Sequence, residues 1–207
     1  LYIAGLTGGT GAGKSSAARR FETHGIPVVD ADRIGHELIA PGGEAEADVI
    51  AAFGGSIVSC GRIDRGRLGA RVFADPESLS VLNGIMKPRI AAAIGQRCFD
   101  LAAAGAAVCI VDAALLGDSG VLEPWLACLV LVSCPEEDRV ARLVAHRGMT
   151  EAGARERVRA QVDPERKRPL ARWVIENVGT LEALHARVDE VATALLSDGW
   201  SCGHGKL

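Results

Sequence analysis

Gly8-Gly9-Thr10-Gly11-Ala12-Gly13-Lys14-Ser15 joins a short apolar run, Tyr2 to Leu6, to a helical pattern that starts at Ser16, and half of its residues are glycine. The spacing fits G-x-x-x-x-G-K-[ST], the pattern of a loop that cradles phosphate. Glycine lacks Cβ, so the backbone there can turn left-handed and aim successive N–H groups at one point. The N-terminus of the following helix adds partial positive charge at the same place. Gly9, Thr10, Gly11, Ala12, Gly13, Lys14, Ser15 and Ser16 are therefore expected to hold the phosphates of a nucleotide such as ATP. Lys14 would reach the β- and γ-phosphates, and the Ser15 hydroxyl would complete the oxygen shell of a Mg²⁺ ion.

The rest of the chain supplies the surroundings of such a loop. Val28-Val29 reads as a second buried strand delivering Asp30 and Asp32 at its carboxyl end, the side on which open α/β sheets bind ligands. Either carboxylate could orient or deprotonate an acceptor hydroxyl or hold Mg²⁺ through water. Asp32 could equally cap a helix from Arg33 to Ala40, and one residue can do both. Ala106 to Val111 is a continuous apolar run, as in a central parallel strand, and it ends in Asp112, another Mg²⁺-directed carboxylate, direct or through water. Leu126 to Val132 and Trp173 to Asn177 complete about five strands. Strands alternating with helices predict an α/β fold, a parallel sheet covered by helices on both faces.

Between the second and third strands the pattern is helical, over Glu46 to Phe53, Arg65 to Phe73 and Pro76 to Ala104. That insertion exceeds a simple crossover, so a helical lobe over the acceptor site is expected, spanning about residues 41–104. Between the last two strands, ten of the chain's 23 basic residues fall from Arg139 to Arg172. A mobile segment that brings an arginine to the transferred phosphoryl group would look like this, and so would a solvated helix pair laced with Glu and Asp. Arg139 and Arg142 share one helical face.

Composition narrows the classes. The 207 residues suit one globular unit, and the net charge of −3 gives no basic excess for nucleic-acid binding. Only 4% of residues are aromatic, which argues against a base-stacking platform. No apolar run reaches a membrane span, and the six cysteines have no zinc-type spacing. A cytoplasmic protein acting on small molecules, without nucleic acid or membrane, is expected; the oligomeric state stays open.

Further stretches follow the loop in a fixed order: Val29-Asp30-Ala31-Asp32, Pro41-Gly42, Phe53-Gly54, Ile63-Asp64-Arg65, Val72-Phe73-Ala74-Asp75-Pro76, Arg142-Leu143, Gln161 and Ile175-Glu176-Asn177-Val178-Gly179. In this order the chain resembles the dephospho-coenzyme A kinase family of P-loop kinases, from about Ile3 to Val191. The resemblance implies a three-layer P-loop kinase fold as a single unit. Its core would span about 1–40, 105–135 and 173–200, its acceptor lobe about 41–104 and its lid about 136–172. It also implies ATP-dependent phosphorylation of the ribose 3′-hydroxyl of dephospho-coenzyme A. Lys14, Asp32 and Arg142 would be catalytic, with Asp32 the base and Arg142 the lid arginine; Asn177 and Gly179 would edge the adenine pocket. Thr7, Asp30, Asp32, Arg65, Phe73, Lys87 and Asp112 would line the acceptor side.

The chain departs from the family pattern at Ala113-Ala114-Leu115-Leu116-Gly117-Asp118, at Lys87-Pro88 and at Ala171-Arg172. These departures keep two alternatives open: a related P-loop kinase with a different nucleoside or nucleotide hydroxyl as acceptor, or a nucleotide-binding homologue without catalysis.

Overall fold

The computed structural model describes residues 1–113, 116 and 123–203, so the departures at Ala114, Leu115, Gly117 and Asp118 lie outside the described residues. The chain forms two compact units, Leu1–Val29 with Cys98–Leu207, and Asp30–Arg97.

The first unit is built on strand β1 (Tyr2–Gly8), which lies at the centre of a five-stranded parallel sheet. On one side it pairs with β5 (Val108–Asp112) in the register Leu6↔Asp112; on the other it pairs with β6 (Cys128–Ser133) in the register Ala4↔Cys128. β2 (Val28–Asp30) lies outside β5 and β7 (Trp173–Glu176) outside β6. β5 and β6 are buried at every residue, which is why they read as unbroken apolar runs rather than as alternation.

Two helices, α1 (Lys14–Thr23) and α8 (Leu181–Gly203), share one core with the sheet. Tyr2, Ala4 and Leu6 alternate along β1 into that core, where they meet Ala17, Ala18 and Phe21 of α1 and Leu184, Val188, Val191 and Leu195 of α8. Truncating the fully buried Phe21 to alanine would cost about 3–5 kcal/mol by lost transfer energy and cavity formation. Gly5, out of phase with these residues, has no room for a side chain: a Cβ there would stand 2.7 Å from Leu126 and 2.9 Å from Leu116. α6 (Glu136–Arg147) and α7 (Glu151–Arg159) pack on each other through Val140, Leu143, Ala154 and Val158. A 3-10 turn, Pro164–Leu170, then leads back to β7.

The second unit is mostly helical, as its periodicity predicts: α2 (Ala31–Leu38), α3 (Glu46–Phe53), α4 (Arg65–Ala74) and most of α5 (Pro76–Ala103). It starts before α2, a helix expected from sequence to belong to the core. Capping of this helix, the alternative to a functional role for Asp32, falls to its neighbour. Helix α2 starts at Ala31, and its cap is Asp30, whose carboxylate accepts the Arg33 N–H at 2.9 Å; Asp32 lies inside the first turn. A hairpin not foreseen from sequence pairs β3 (Val58–Ser59) with β4 (Arg62–Ile63). Its two-residue turn is Cys60-Gly61, with φ of 50° and 73°, the positive values that a tight hairpin turn requires at both positions.

An ionic tie joins α1 to α8. The Asp189 carboxylate accepts from Arg20 Nε at 2.6 Å and Nη2 at 2.8 Å, and His24 Nε2 stands 2.7 Å away. The Arg20 hydrogen bonds, then that of His24, hold the Asp189 carboxyl below the usual carboxylate range. A carboxyl whose folded pKa is depressed stabilises the fold fully above its unfolded value of about 3.9 and loses that contribution as pH falls through the folded value. Asp189→Asn is therefore expected to lower Tm by about 2–4 °C at pH 7. The deficit should shrink below about pH 4, as read by thermal unfolding followed by circular dichroism. An equal deficit at pH 7 and pH 3 would contradict the assignment.

Candidate active site

The glycine loop leaves β1 at Gly8 and enters α1 at Lys14, with Gly11 at φ 81° and Gly13 at φ 96°. Both values suit glycine and strain any L side chain. Space imposes the same choice. A Cβ on Gly13 would lie 2.2 Å from Asn177 Nδ2, and one on Gly11 would lie 2.7 Å from the Arg139 carbonyl oxygen. The loop is thus gripped by its neighbours through its backbone. The Ala12 N–H donates to the Gly9 carbonyl at 3.0 Å, folding the loop on itself. Lys14 and Ser15 open α1, so their N–H groups belong to the first turn, which has no partners within its own helix.

Lys14 makes an ion pair with Asp112. Their side chains are 16% and 8% exposed, so the pairing offsets part of the solvation that each charge loses on burial. The β1–β5 register accounts for the meeting: Leu6 lies opposite Asp112, and the chain beyond Leu6 becomes the loop. Thr7, fully buried at the end of β1, has its Oγ1 3.4 Å from the ammonium of Lys167 on the 3-10 turn. Ser15 and Ser16 occupy the first turn of α1.

The end of β7 meets the loop through Asn177. Its side-chain N–H donates to the Ala12 carbonyl at 2.7 Å, and its own backbone N–H donates to the Ser133 carbonyl at 2.7 Å. Gly179, at φ 97°, turns the chain toward α8. Arg142 sits beside the same pair: its Nη2 donates to the Asn177 backbone oxygen at 3.1 Å and to Oδ1 at 3.2 Å, and its Nη1 lies 3.5 Å from the Ala12 carbonyl. From sequence, Arg142 is expected to reach over the phosphates. In the structure it braces the Ala12–Asn177 junction.

Arg139, the other arginine on that face, is the one that touches the middle of the loop. It is 6% exposed, its Nε donates to the Thr10 carbonyl at 2.9 Å and its Nη2 to Gln161 Oε1 at 3.1 Å. Gln161 Oε1 also accepts the Thr10 N–H at 2.7 Å. Burial lowers the Arg139 pKa, but a guanidinium remains charged. Lys167, at 5% exposure, is a further buried cation, one that the sequence reading does not single out. The available signal is the three-residue spacing of Arg139 and Arg142; nothing local marks Lys167 among its basic neighbours.

In the second unit the remaining residues are exposed. Asp30 caps α2 and Asp32 sits in its first turn, where the helix dipole favours a carboxylate. Arg65 is the first residue of α4, whose cap, Asp64, accepts from the N–H groups of Gly66 and Arg67. Phe73 is 83% exposed near the end of α4, and Lys87 lies on α5 beside Pro88, whose ring removes one helical donor.

Comparison with known proteins identifies the family. The family model for dephospho-CoA kinase matches residues 2–183. A dephospho-CoA kinase of Streptomyces avermitilis is 44% identical over 188 residues, covering 90% of this chain and 90% of its own. One from Thermobifida fusca is 42% identical over 190 residues, covering 90% of this chain and 92% of its own. The crystal structure of TT1252 from Thermus thermophilus superposes with a TM-score of 0.81 at 34% identity, covering 94% of this chain and 97% of that one. The chain belongs to the dephospho-CoA kinase family.

Proposed function

We propose that the protein transfers the γ-phosphoryl group of ATP to the ribose 3′-hydroxyl of dephospho-coenzyme A, giving coenzyme A and ADP. The observation that carries this reading is the glycine loop ending in Lys14, in a chain that matches its family from residue 2 to residue 183. The 3′-oxygen attacks the γ-phosphorus, the bond from that phosphorus to the β,γ-bridging oxygen breaks, and the hydroxyl proton passes to a carboxylate. Asp32 is that base: its carboxylate is exposed in the first turn of α2. Such chemistry asks the protein mainly for position and charge stabilisation.

Lys14 exchanges Asp112 for the β- and γ-phosphates, and the loop amides from Gly9 to Ser16 take further phosphate oxygens. Asn177 and Gly179 edge the adenine, and Arg142, tied to Asn177, keeps that edge and the loop in one arrangement. Ser15 and Asp112 suit Mg²⁺, since both offer oxygen and Asp112 ends the strand paired with β1. They would hold that ion, which supplies neutralisation of the phosphate charge. Thr7, Asp30, Arg65, Phe73 and Lys87 serve the acceptor; exposed cations and one exposed phenyl ring suit an anionic nucleotide with an apolar face. A cytoplasmic location goes with this reading; among the described residues no helix is long and apolar enough to cross a membrane.

Incubation with ATP, Mg²⁺ and dephospho-coenzyme A should give coenzyme A, measured by chromatography of the products. Asp32→Asn should lower kcat about 10²- to 10⁴-fold while ATP still binds. A folded preparation that binds ATP and forms no coenzyme A would overturn the assignment. Asn177→Ala, which removes the side-chain bond to Ala12 and one anchor of Arg142, should raise the KM for ATP about tenfold with a much smaller change in kcat. Steady-state kinetics at saturating acceptor separates the two parameters.

A further inference from the structure

One contact within the first unit is unused by this mechanism. Gln161 Oε1 lies between two donors, the Thr10 N–H at 2.7 Å and Arg139 Nη2 at 3.1 Å, while Arg139 Nε holds the Thr10 carbonyl at 2.9 Å. A single oxygen thus takes a loop amide and a guanidinium N–H at once, the pair of donors that suits a phosphate oxygen.

The glycines bear on the same point. The phosphate-loop pattern asks for glycine only at Gly8 and Gly13, yet Gly9 and Gly11 are glycine too. A Cβ on Gly9 would stand 2.5 Å from Arg139 Nη2 and 2.6 Å from its Cζ, and one on Gly11 would meet the Arg139 carbonyl oxygen at 2.7 Å. These two extra glycines let Arg139 lie directly on the loop backbone. A buried guanidinium brought this close to a phosphate-binding loop has a use when an anion arrives. Until then its N–H groups and the Thr10 amide need an acceptor, because an unsatisfied buried donor is costly. The neutral carboxamide of Gln161 supplies one without competing as strongly as a carboxylate would.

We infer that the Gln161 carboxamide oxygen holds the place of a nucleotide phosphate oxygen at Thr10 and Arg139, so that Arg139 is a phosphate-contacting arginine of α6 and Gln161 is the group that the nucleotide displaces. The inference rests on the reading of the glycine loop as the ATP-phosphate site. On binding, a phosphate oxygen takes the Thr10 N–H and Arg139 Nη2, and the bond from Arg139 Nε to the Thr10 carbonyl remains.

The test uses the full chain without acceptor and titrates ATP, and separately inorganic triphosphate, by calorimetry. Gln161→Ala should bind both about three- to tenfold more tightly than the unaltered protein, since nothing needs displacing. Gln161→Glu, of the same size, should bind both at least about tenfold more weakly, because a carboxylate pairs with Arg139 and repels phosphate. Arg139→Gln should weaken triphosphate binding about tenfold or more. Weaker or unchanged binding by Gln161→Ala, or unchanged binding by both Gln161→Glu and Arg139→Gln, overturns the inference while leaving the site assignment standing. Failure of the unaltered protein to bind either ligand overturns both.

Discussion

A lysine ammonium at 16% exposure needs an anion beside it, and at the first residue of α1 that requirement fixes much of the molecule. Asp112 meets it from the end of β5, a strand that must run parallel to β1 and in the register Leu6↔Asp112 for the two charges to touch. A parallel pair needs a long crossover between its strands, and here that crossover contains the whole of the second unit. Removing Asp112 would take from the buried Lys14 ammonium the carboxylate it pairs with, a loss more costly than the pair itself is worth.

Around this pair the loop is held almost wholly through peptide groups. Asn177 and Arg142 converge on the Ala12 carbonyl, Arg139 on the Thr10 carbonyl, and Gln161 on the Thr10 N–H. Since glycine has no side chain to grip, rigidity has to come from neighbours that reach the backbone. Those neighbours come from α6, from the segment after α7 and from the end of β7. The loop conformation is consequently a property of the first unit as a whole.

The central strands β1, β5 and β6 were legible because each is buried along nearly its whole length. β5 and β6 have no polar residue until Asp112 and Ser133, and α3 follows its three- and four-residue spacing from Glu46 to Phe53. The β3–β4 hairpin was not legible, since two-residue strands leave no periodicity and its turn begins with a cysteine rather than the usual Asn or Asp. Asp30 and Asp32 are both good caps two residues apart, and only the backbone shows that Asp30 is used. In the loop's surroundings, spacing put Arg139 and Arg142 on one face but could not say what each would meet. The difference depends on Gly9 and Gly11 leaving space for one guanidinium and on Asn177 offering oxygens to the other.

The position of Arg172 explains how the chain departs from its family without disturbing this arrangement. It directly precedes β7, at the end of the strand opposite Asn177, and four residues of extended chain separate the two by roughly 13 Å or more. There its N–H donates to the Leu129 carbonyl, its Nη1 to the Tyr2 hydroxyl at 3.1 Å, and its Nη2 pairs with Asp198 at 3.0 Å. The cation at this position is therefore balanced by a carboxylate from α8, at the amino-terminal edge of the sheet. A parallel sheet separates the two tasks. Its carboxyl ends gather the loop, Asp112 and Asn177, while at its amino end Arg172 pairs with Asp198 of α8.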